Sequence, residues 1–217
     1  MATFLSVAAP ILPRPFSDGR YLPFTTMGRV GYGRIISKGA WTMALEIVRG
    51  DITTMAVDVI VNAANPQLQM GGGVCGAIFR AAGARRLQEA CDRLAPIATG
   101  EAVITDGFGL PARHIIHTPG PVWRGGTRGE EGKLRACYRN SLTLAAEHGC
   151  ASIAFPLISG GIYGYPVADA IRIALEEMRA FLMDPAHADM TVILALFDET
   201  TYGLARHIDE RYPGRAS

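Results

Sequence analysis

The stretch N-A-A-N-P-Q-L-Q-M-G-G-G-V-C-G-A-I-F-R-A-A-G, residues 62–83, decides how this chain is organised. It begins where an apolar run ends in two asparagines, so polar amides lie at the end of a predicted buried strand. Beyond three glycines, apolar residues recur at spacings of three and four, which predicts a helix that begins near the glycines. The bare amides and the positive dipole end of such a helix favour an anion such as phosphate.

Strands and helices alternate on both sides of this stretch. We predict strands at residues 44–48, 57–62, 101–105, 114–118, 151–156 and 191–197. Helices are predicted from the glycines through residue 94, with a break near Gly83, and at residues 130–148, 167–182 and 200–211. This order predicts an α/β protein, a three-layer α/β/α domain around a mixed, mostly parallel sheet of six or seven strands.

The length of 217 residues, 49% of them hydrophobic, allows one domain of about 150 to 180 residues and an appendage. We expect the domain at residues 43–213. Residues 1–42 contain four prolines and no sustained period, so we expect an extended or disordered leader there. Its origin is open between a targeting peptide and an over-long reading frame with Met43 as the natural start.

Charge and apolar patterning exclude two classes of partner. The leader carries a net charge of +4, whereas the remaining residues hold 16 basic and 19 acidic side chains. A near-neutral body argues against broad binding of duplex nucleic acid, which needs a basic stripe. No apolar run approaches the roughly 20 residues of a membrane helix. We expect a monomer in the cytoplasm.

The four cysteines show neither a C-x-x-C pair nor a metal-ligand spacing with the five histidines. Reduced thiols, without a metal or other cofactor, are the plain interpretation, and Cys91, Cys137 and Cys150 are expected to be small buried hydrophobes. His114 and His117, which we expect on one face of a strand, raise a metal interpretation. We favour core or loop-bridging histidines because no third ligand is evident.

Four unusual loops each follow a predicted strand, and ligands of such sheets bind beyond the carboxyl ends of the strands. These loops are G-D-I at residues 50–52, the asparagines and glycines of residues 62–73, S-G-G-I-Y-G at residues 159–164, and F-D at residues 197–198. Two glycine-rich loops allow backbone amides to approach a diphosphate closely. Neither loop is a Walker loop or a Rossmann G-x-G-x-x-G.

These residues make the chain from about Met43 to Tyr212 resemble the macrodomain family of ADP-ribose-binding modules and ADP-ribosyl hydrolases. The resemblance rests on several ordered motifs, which are G-D-I-T at residues 50–53, N-A-A-N at 62–65, G-G-G-V-C-G-A-I at 71–78, H-T-P-G-P-V-W at 117–123 and F-P-L-I-S-G-G-I-Y-G at 155–164. It implies a macrodomain that binds ADP-ribose or ADP-ribosylated protein.

The resemblance also implies a role for each loop. Asp51 would accept a hydrogen bond from the adenine amino group, and the Ile52 amide would read a ring nitrogen. Asn62 and Asn65 would lie near the distal ribose, and Phe197 would stack on or flank the adenine. The residues implied to line that ribose and the diphosphate are Gly71, Gly72, Gly73, Val74, Ser159, Gly160, Gly161, Ile162 and Tyr163.

Catalysis is where this chain departs from the hydrolases that it resembles. In MacroD-type hydrolases the glycines continue V-D-G-A-I-H, and here Cys75 and Phe79 stand at the Asp and His places. Alphavirus macrodomains are similar in having a cysteine at the first place. The resemblance implies that the substrate's phosphate activates water while Asn62 and the turn from Gly73 to Cys75 fix the geometry. A covalent role for Cys75 is a weaker hypothesis because no base adjoins it in the sequence.

Several residues keep a second interpretation. Asp51 could cap the segment after the first strand, Asn62 could bridge two loops structurally, and Phe197 could be a core aromatic. Trp123 and Arg124 are expected to be loop packing and a solvated charge. At the level of the whole domain, the prediction is hydrolysis at C1 of ADP-ribose, from a modified protein or from O-acetyl-ADP-ribose. The alternative is a reader that binds ADP-ribose without chemistry.

Overall fold

The computed structural model describes residues 24–26, 29–35 and 41–211, with side chains from residue 45 onward. The elements are, in chain order, β1 (Phe24–Thr26), β2 (Arg29–Ile35), β3 (Trp41–Arg49), a 3-10 helix (Ile52–Thr54), β4 (Val59–Ala64), α1 (Gly73–Ala82), α2 (Ala84–Cys91), β5 (Val103–Asp106), β6 (His114–Pro119), α3 (Glu130–Glu147), β7 (Ser152–Phe155), α4 (Val167–Leu182), β8 (Thr191–Leu196) and α5 (Glu199–Arg211).

One sheet with the order β1-β2-β3-β8-β7-β4-β6-β5 runs through the molecule. From β3 to β6 all neighbours are parallel, and β5 joins β6 in the antiparallel sense. These six strands are the mixed, mostly parallel sheet that the sequence predicts, so the α/β fold class is confirmed.

Burial on β4 alternates between two apolar layers. Val59 and Val61 pack with residues of α3 and α4 on one face, whereas Ile60 and Ala64 pack with α1 and α2 on the other. Both faces of the sheet are therefore covered by helices, which explains why the central strands read as continuous apolar runs. The largest fully buried side chains include Tyr138, Phe155 and Phe79.

Two strands lie in the segment that we expected to be a separate leader. β2 pairs with β3 along its length and β1 pairs with β2, both antiparallel. Without β2, strand β3 would be an edge with unpaired backbone groups, and an extended segment can satisfy these groups without an apolar pattern of its own. The sheet thus extends into the expected leader at residues 24–26, 29–35 and 41–42, while the rest of that segment lies outside the described residues and the boundary at residue 43 stays a prediction.

Candidate functional site

The loops after β3, β4, β6, β7 and β8 surround a cavity of about 710 Å³ at the carboxyl ends of the parallel strands. All the residues that we predicted for the site line this cavity except Asn62. The cavity is also lined by residues that we had not assigned, which include Gly120, Asp198 and Thr201. Their signal was position alone, since Gly120 directly follows β6 and Asp198 is the second residue after β8.

The glycines of the first loop lead directly into α1. Gly72 is the residue before the helix, and no side chain caps the free amides of the first turn. Gly73 adopts a positive φ of 58°, which a side chain would strain. The first amides of α1 are therefore available to an anion in the cavity.

The second loop, residues 159–164, closes the opposite wall. A Cβ at Gly72 would lie 3.1 Å from Cδ1 of Ile162, so the two glycine-rich loops nearly meet across the cavity. Ile162 is 79% exposed and Ser159 has a φ of 62° with a buried hydroxyl that has no hydrogen-bond partner among the described residues. Burial, and then the neighbouring Cys75, raise the pKa of Tyr163.

No lysine, arginine or histidine of the described residues lines the cavity. Its ionisable lining consists of Asp51, Cys75, Tyr163 and Asp198. Backbone amides, rather than cationic side chains, must therefore neutralise an anionic ligand here.

Asp51 and Asp198 lie at the end of the cavity formed by β3 and β8. Oδ1 of Asp51 accepts hydrogen bonds from the amide and hydroxyl of Thr53, at 2.9 and 2.7 Å, and caps the 3-10 helix. Oδ1 of Asp198 accepts from the amide of Thr201, and the pKa of Asp198 is lowered by that bond. Phe197, which also lines the cavity, is 78% exposed, so its interpretation as a core aromatic is wrong.

Asn65 lines the cavity and holds its own loop. Its Nδ2 donates to the carbonyl of Gln69 and its Oδ1 accepts from the Gln69 amide, at 2.8 and 3.1 Å. This reciprocal pair fixes the chain between β4 and the glycines. This pair leaves one hydrogen and one lone pair of the side-chain amide unused.

Asn62 is the site prediction that the structure does not support. β4 continues to Ala64, two residues past the predicted strand end, so Asn62 lies inside the sheet opposite His117 of β6. Its side chain is buried, and Nδ2 lies 3.1 Å from Nδ1 of His117. This position agrees with the alternative interpretation of Asn62 as a structural residue. The hydrogen bond to His117 joins two strands, however, and not the two loops that we expected.

His117 completes a buried polar chain. Its Nε2 lies 2.9 Å from the Thr105 hydroxyl and 3.9 Å from the Cys91 sulfur, and burial lowers the pKa of His117 to about 4. His114 is three residues away, so the two rings face opposite sides of the sheet and the expectation of a shared face is wrong. The described residues contain no cluster of three potential metal ligands.

Cys75 lies in the first turn of α1 and lines the cavity, with 5% of its surface exposed. Within the described residues its sulfur makes a single weak hydrogen bond, of 3.9 Å, to the Gln69 carbonyl. Among the described residues, no base therefore makes a hydrogen bond to the thiol. Phe79, one turn later, is fully buried in the core and cannot act in the cavity.

The other cysteines are free and buried, as predicted. Burial raises the pKa of Cys91 to about 12 and that of Cys137 to about 11. Among the described helices, none is long and apolar enough to cross a membrane.

The fold and the cavity together define an α/β/α domain with a cation-free, amide-lined site for a diphosphate ligand. A family model described as "Macro domain" matches residues 61–174. The chain belongs to the macro domain family, which confirms the resemblance drawn from its motifs.

Named relatives are similar over most of their length. A macro domain-containing protein of Lactiplantibacillus plantarum is 52% identical over 157 residues, which are 72% of this chain and 91% of the relative. A protein of Klebsiella pneumoniae named O-acetyl-ADP-ribose deacetylase is 48% identical over 171 residues, 77% of this chain and 97% of the relative.

Solved structures show the same fold. The Oceanobacillus iheyensis macrodomain with ADP superposes with a TM-score of 0.74 at 38% identity, over 91% of this chain and 98% of that chain. The Trypanosoma brucei macrodomain in complex with ADP-ribose gives a TM-score of 0.70 at 42% identity, over 76% and 68%.

Proposed function

We propose that this chain binds ADP-ribose and hydrolyses bonds at its C1 position. The observation that carries the proposal is the cavity itself, which brings Asp51, Asn65 and two amide-rich loops to one edge of the sheet. The ADP-ribose complex of the Trypanosoma brucei protein and the deacetylase name of the Klebsiella pneumoniae relative support it.

The parts of this ligand can be assigned to successive loops across the sheet, from β3 towards β4. Asp51 and Phe197 receive the adenine after β3 and β8, and the backbone amide of Ile52 reads its ring. The glycines before α1 and the loop of residues 159–164 hold the diphosphate from two sides. The distal ribose then lies beside Asn65 and Cys75.

The proposed reaction is hydrolysis by a water held at the distal ribose. The water oxygen attacks C1, the bond from C1 to the acceptor oxygen breaks with its electron pair, and the water proton leaves through the substrate's phosphate. Products are ADP-ribose and a free acceptor group. The described residues supply no carboxylate next to Cys75 in the cavity wall. The turn from Gly73 to Cys75 therefore fixes the position of the water and of C1.

A second candidate function is a reader that binds ADP-ribosylated protein without cleaving it. Cys75 at the Asp place and the buried Phe79 at the His place favour it. In either case we propose a cytoplasmic monomer that needs no cofactor.

Enzyme and reader are separated by incubating the chain with a mono-ADP-ribosylated protein and, separately, with O-acetyl-ADP-ribose. We expect loss of ADP-ribose from the modified protein, or release of acetate from O-acetyl-ADP-ribose. Tight binding of ADP-ribose in calorimetry without any turnover at high protein concentration would leave only the reader.

Two variants of Cys75 test its role. We expect Cys75→Ser to retain activity, because the thiol has no base and acts by shape. Cys75→Asp should raise the rate, because a carboxylate at this place can position the attacking water. Loss of activity in Cys75→Ser with unchanged ADP-ribose affinity would instead support a covalent role.

A further inference from the structure

The loop of residues 120–129, between β6 and α3, lies at one end of the cavity, and we name it the β6–α3 loop. Gly120 lines the cavity where β6 ends, and Asp51 lines it where β3 ends. Four strand spacings of about 4.8 Å separate β3 from β6 in the sheet, or roughly 19 Å. If adenine lies at Asp51, the β6–α3 loop is at the end where the modified protein must leave the cavity.

This loop is firmly held against the cavity wall. The Trp123 amide donates to the Tyr163 carbonyl at 2.9 Å, and the Trp123 ring packs against Tyr165 with centroids 4.6 Å apart. The carboxylate of Glu130 accepts from the amides of Arg124 and Arg128, at 3.1 and 2.6 Å. The backbone of the loop is therefore held in a defined position beside the cavity.

Glu130 is held as an anion by backbone amides and not by cations. Its side chain is buried, which raises its pKa, but the amide hydrogen bonds outweigh burial and leave the pKa below its usual value. Glu130 is therefore satisfied without the guanidinium groups of Arg124 and Arg128, which find no other carboxylate within the loop.

Neither arginine forms an ion pair elsewhere in the described part of the chain. This distinguishes them from Arg135 and Arg139 of α3, which both pair with glutamates. Arg124 and Arg128 are both exposed. Lys133 donates to the Arg128 carbonyl at 3.2 Å and adds a third positive charge beside the loop.

We infer that the β6–α3 loop binds acidic side chains of the protein that carries ADP-ribose, so that modified sites with acidic neighbours are preferred. This inference rests on the proposed function. The guanidinium fork suits carboxylates, and the described lining of the cavity contains no cation that could do the same. Two arginines and one lysine do not form the basic stripe that a nucleic acid needs.

The test compares two peptides that carry ADP-ribose on one residue through a linkage that cannot be hydrolysed. One peptide has aspartates on both sides of that residue, and the other has asparagines. We expect the chain to bind the acidic peptide about five- to tenfold more tightly at low salt, as two exposed ion pairs would give. The preference should shrink as salt is raised.

The variant Arg124→Gln/Arg128→Gln should lose most of this preference and keep the affinity for free ADP-ribose. The matched control is Arg85→Gln/Arg86→Gln on α2, which removes the same charge at residues that do not line the cavity. This control should keep the preference.

The outcomes separate this inference from the proposed function. A preference that persists in Arg124→Gln/Arg128→Gln overturns the inference, and unchanged affinity for free ADP-ribose then leaves the proposed function standing. Absence of ADP-ribose binding by the unaltered chain overturns both. The inference also fails if the variant loses affinity for an oligonucleotide with ADP-ribose on its terminal phosphate but not for the acidic peptide.

Discussion

Asp51 caps a helix and also lines the cavity, so its capping position is compatible with the ligand-binding role that the sequence presented as the alternative. Its Oδ1 caps the 3-10 helix through the amide and hydroxyl of Thr53, and the residue also lines the cavity. Both of these bonds use one oxygen, so the second oxygen can accept from a ligand. Capping thus orients the carboxylate and does not compete with ligand binding.

Replacing Asp51 with Ala should weaken ADP-ribose binding by about 1 to 3 kcal/mol, the cost of a lost hydrogen bond to a charged group. It should also lower the free energy of unfolding by about 1 kcal/mol, because the cap is lost. Asp51→Asn is the matched variant, since asparagine caps equally well but has no charge. Calorimetry and urea unfolding measure the two effects, and unchanged affinity in Asp51→Ala would remove this residue from the adenine site.

His117 links three strands through neutral hydrogen bonds. Asn62 donates to its Nδ1, so Nε2 carries the proton and donates to the Thr105 hydroxyl. A protonated ring could not accept from Asn62, and it would place a charge in the core. Both effects agree with the lowered pKa of about 4.

Because the pKa of His117 is lower in the folded chain than in the unfolded chain, the unfolded state binds more protons between about pH 6.5 and pH 4. The free energy of unfolding should therefore keep its full value above about pH 6.5 and fall by about 3 kcal/mol as the pH drops to 4. Urea unfolding at several pH values measures the slope.

His117→Gln should reduce that slope, whatever its stability at neutral pH. His114→Gln, on the same strand, is the control and should keep the slope. Equal slopes in the unaltered chain and in His117→Gln would show that another group causes the loss at low pH.

At the scale of elements, the start of α1 depends on close backbone contact with the glycine loop. A Cβ at Gly76 would lie 2.5 Å from the carbonyl oxygen of Gly71, which lines the cavity. That oxygen belongs to the backbone and cannot turn aside. Gly76 therefore allows the loop to fold back on the first turn of the helix.

Gly76→Ala should lower the free energy of unfolding by about 1 to 3 kcal/mol, as overpacking does, and weaken ADP-ribose binding because Gly71 moves. Gly132→Ala in α3 is the matched control, since open space surrounds that position. It should raise stability by about 0.5 to 1 kcal/mol through helix propensity alone, without altering affinity. If Gly76→Ala binds ADP-ribose normally, the loop does not depend on this contact.

At the scale of the whole molecule, the cavity exists only in the folded chain, because its walls come from five separate loops. Residues 51 and 198 face the same cavity from opposite ends of the domain sequence. A ligand of this cavity can therefore bind the native state but not the unfolded state.

ADP-ribose at about 100 times its dissociation constant should stabilise the chain by about 2.7 kcal/mol, because it binds only the folded state. Thermal unfolding with increasing ligand measures this, and Asp51→Ala at the same ligand concentrations should show a smaller rise. An unchanged midpoint at saturating ligand would contradict a site formed by the folded loops.

Local patterns predicted most elements because the helices and buried strands have strong periods. α4 begins and ends as predicted, and α3 ends one residue before the predicted end. β1 and β2 were missed, since their pairing depends on the free edge of β3 and not on an apolar period. A strand that is added to an edge has no local signature.

For this protein, the sequence by itself determined the α/β order, the two glycine-rich loops and the family, because each depends on residues adjacent in the chain. The tertiary structure decided which side chains face the cavity. The two extra residues of β4 put Asn62 against His117 in the sheet and left Asn65 at the cavity. Whether a side chain faces the cavity depends on where its strand ends and on the hydrogen bonds that neighbouring strands make with it. Both depend on residues distant in sequence.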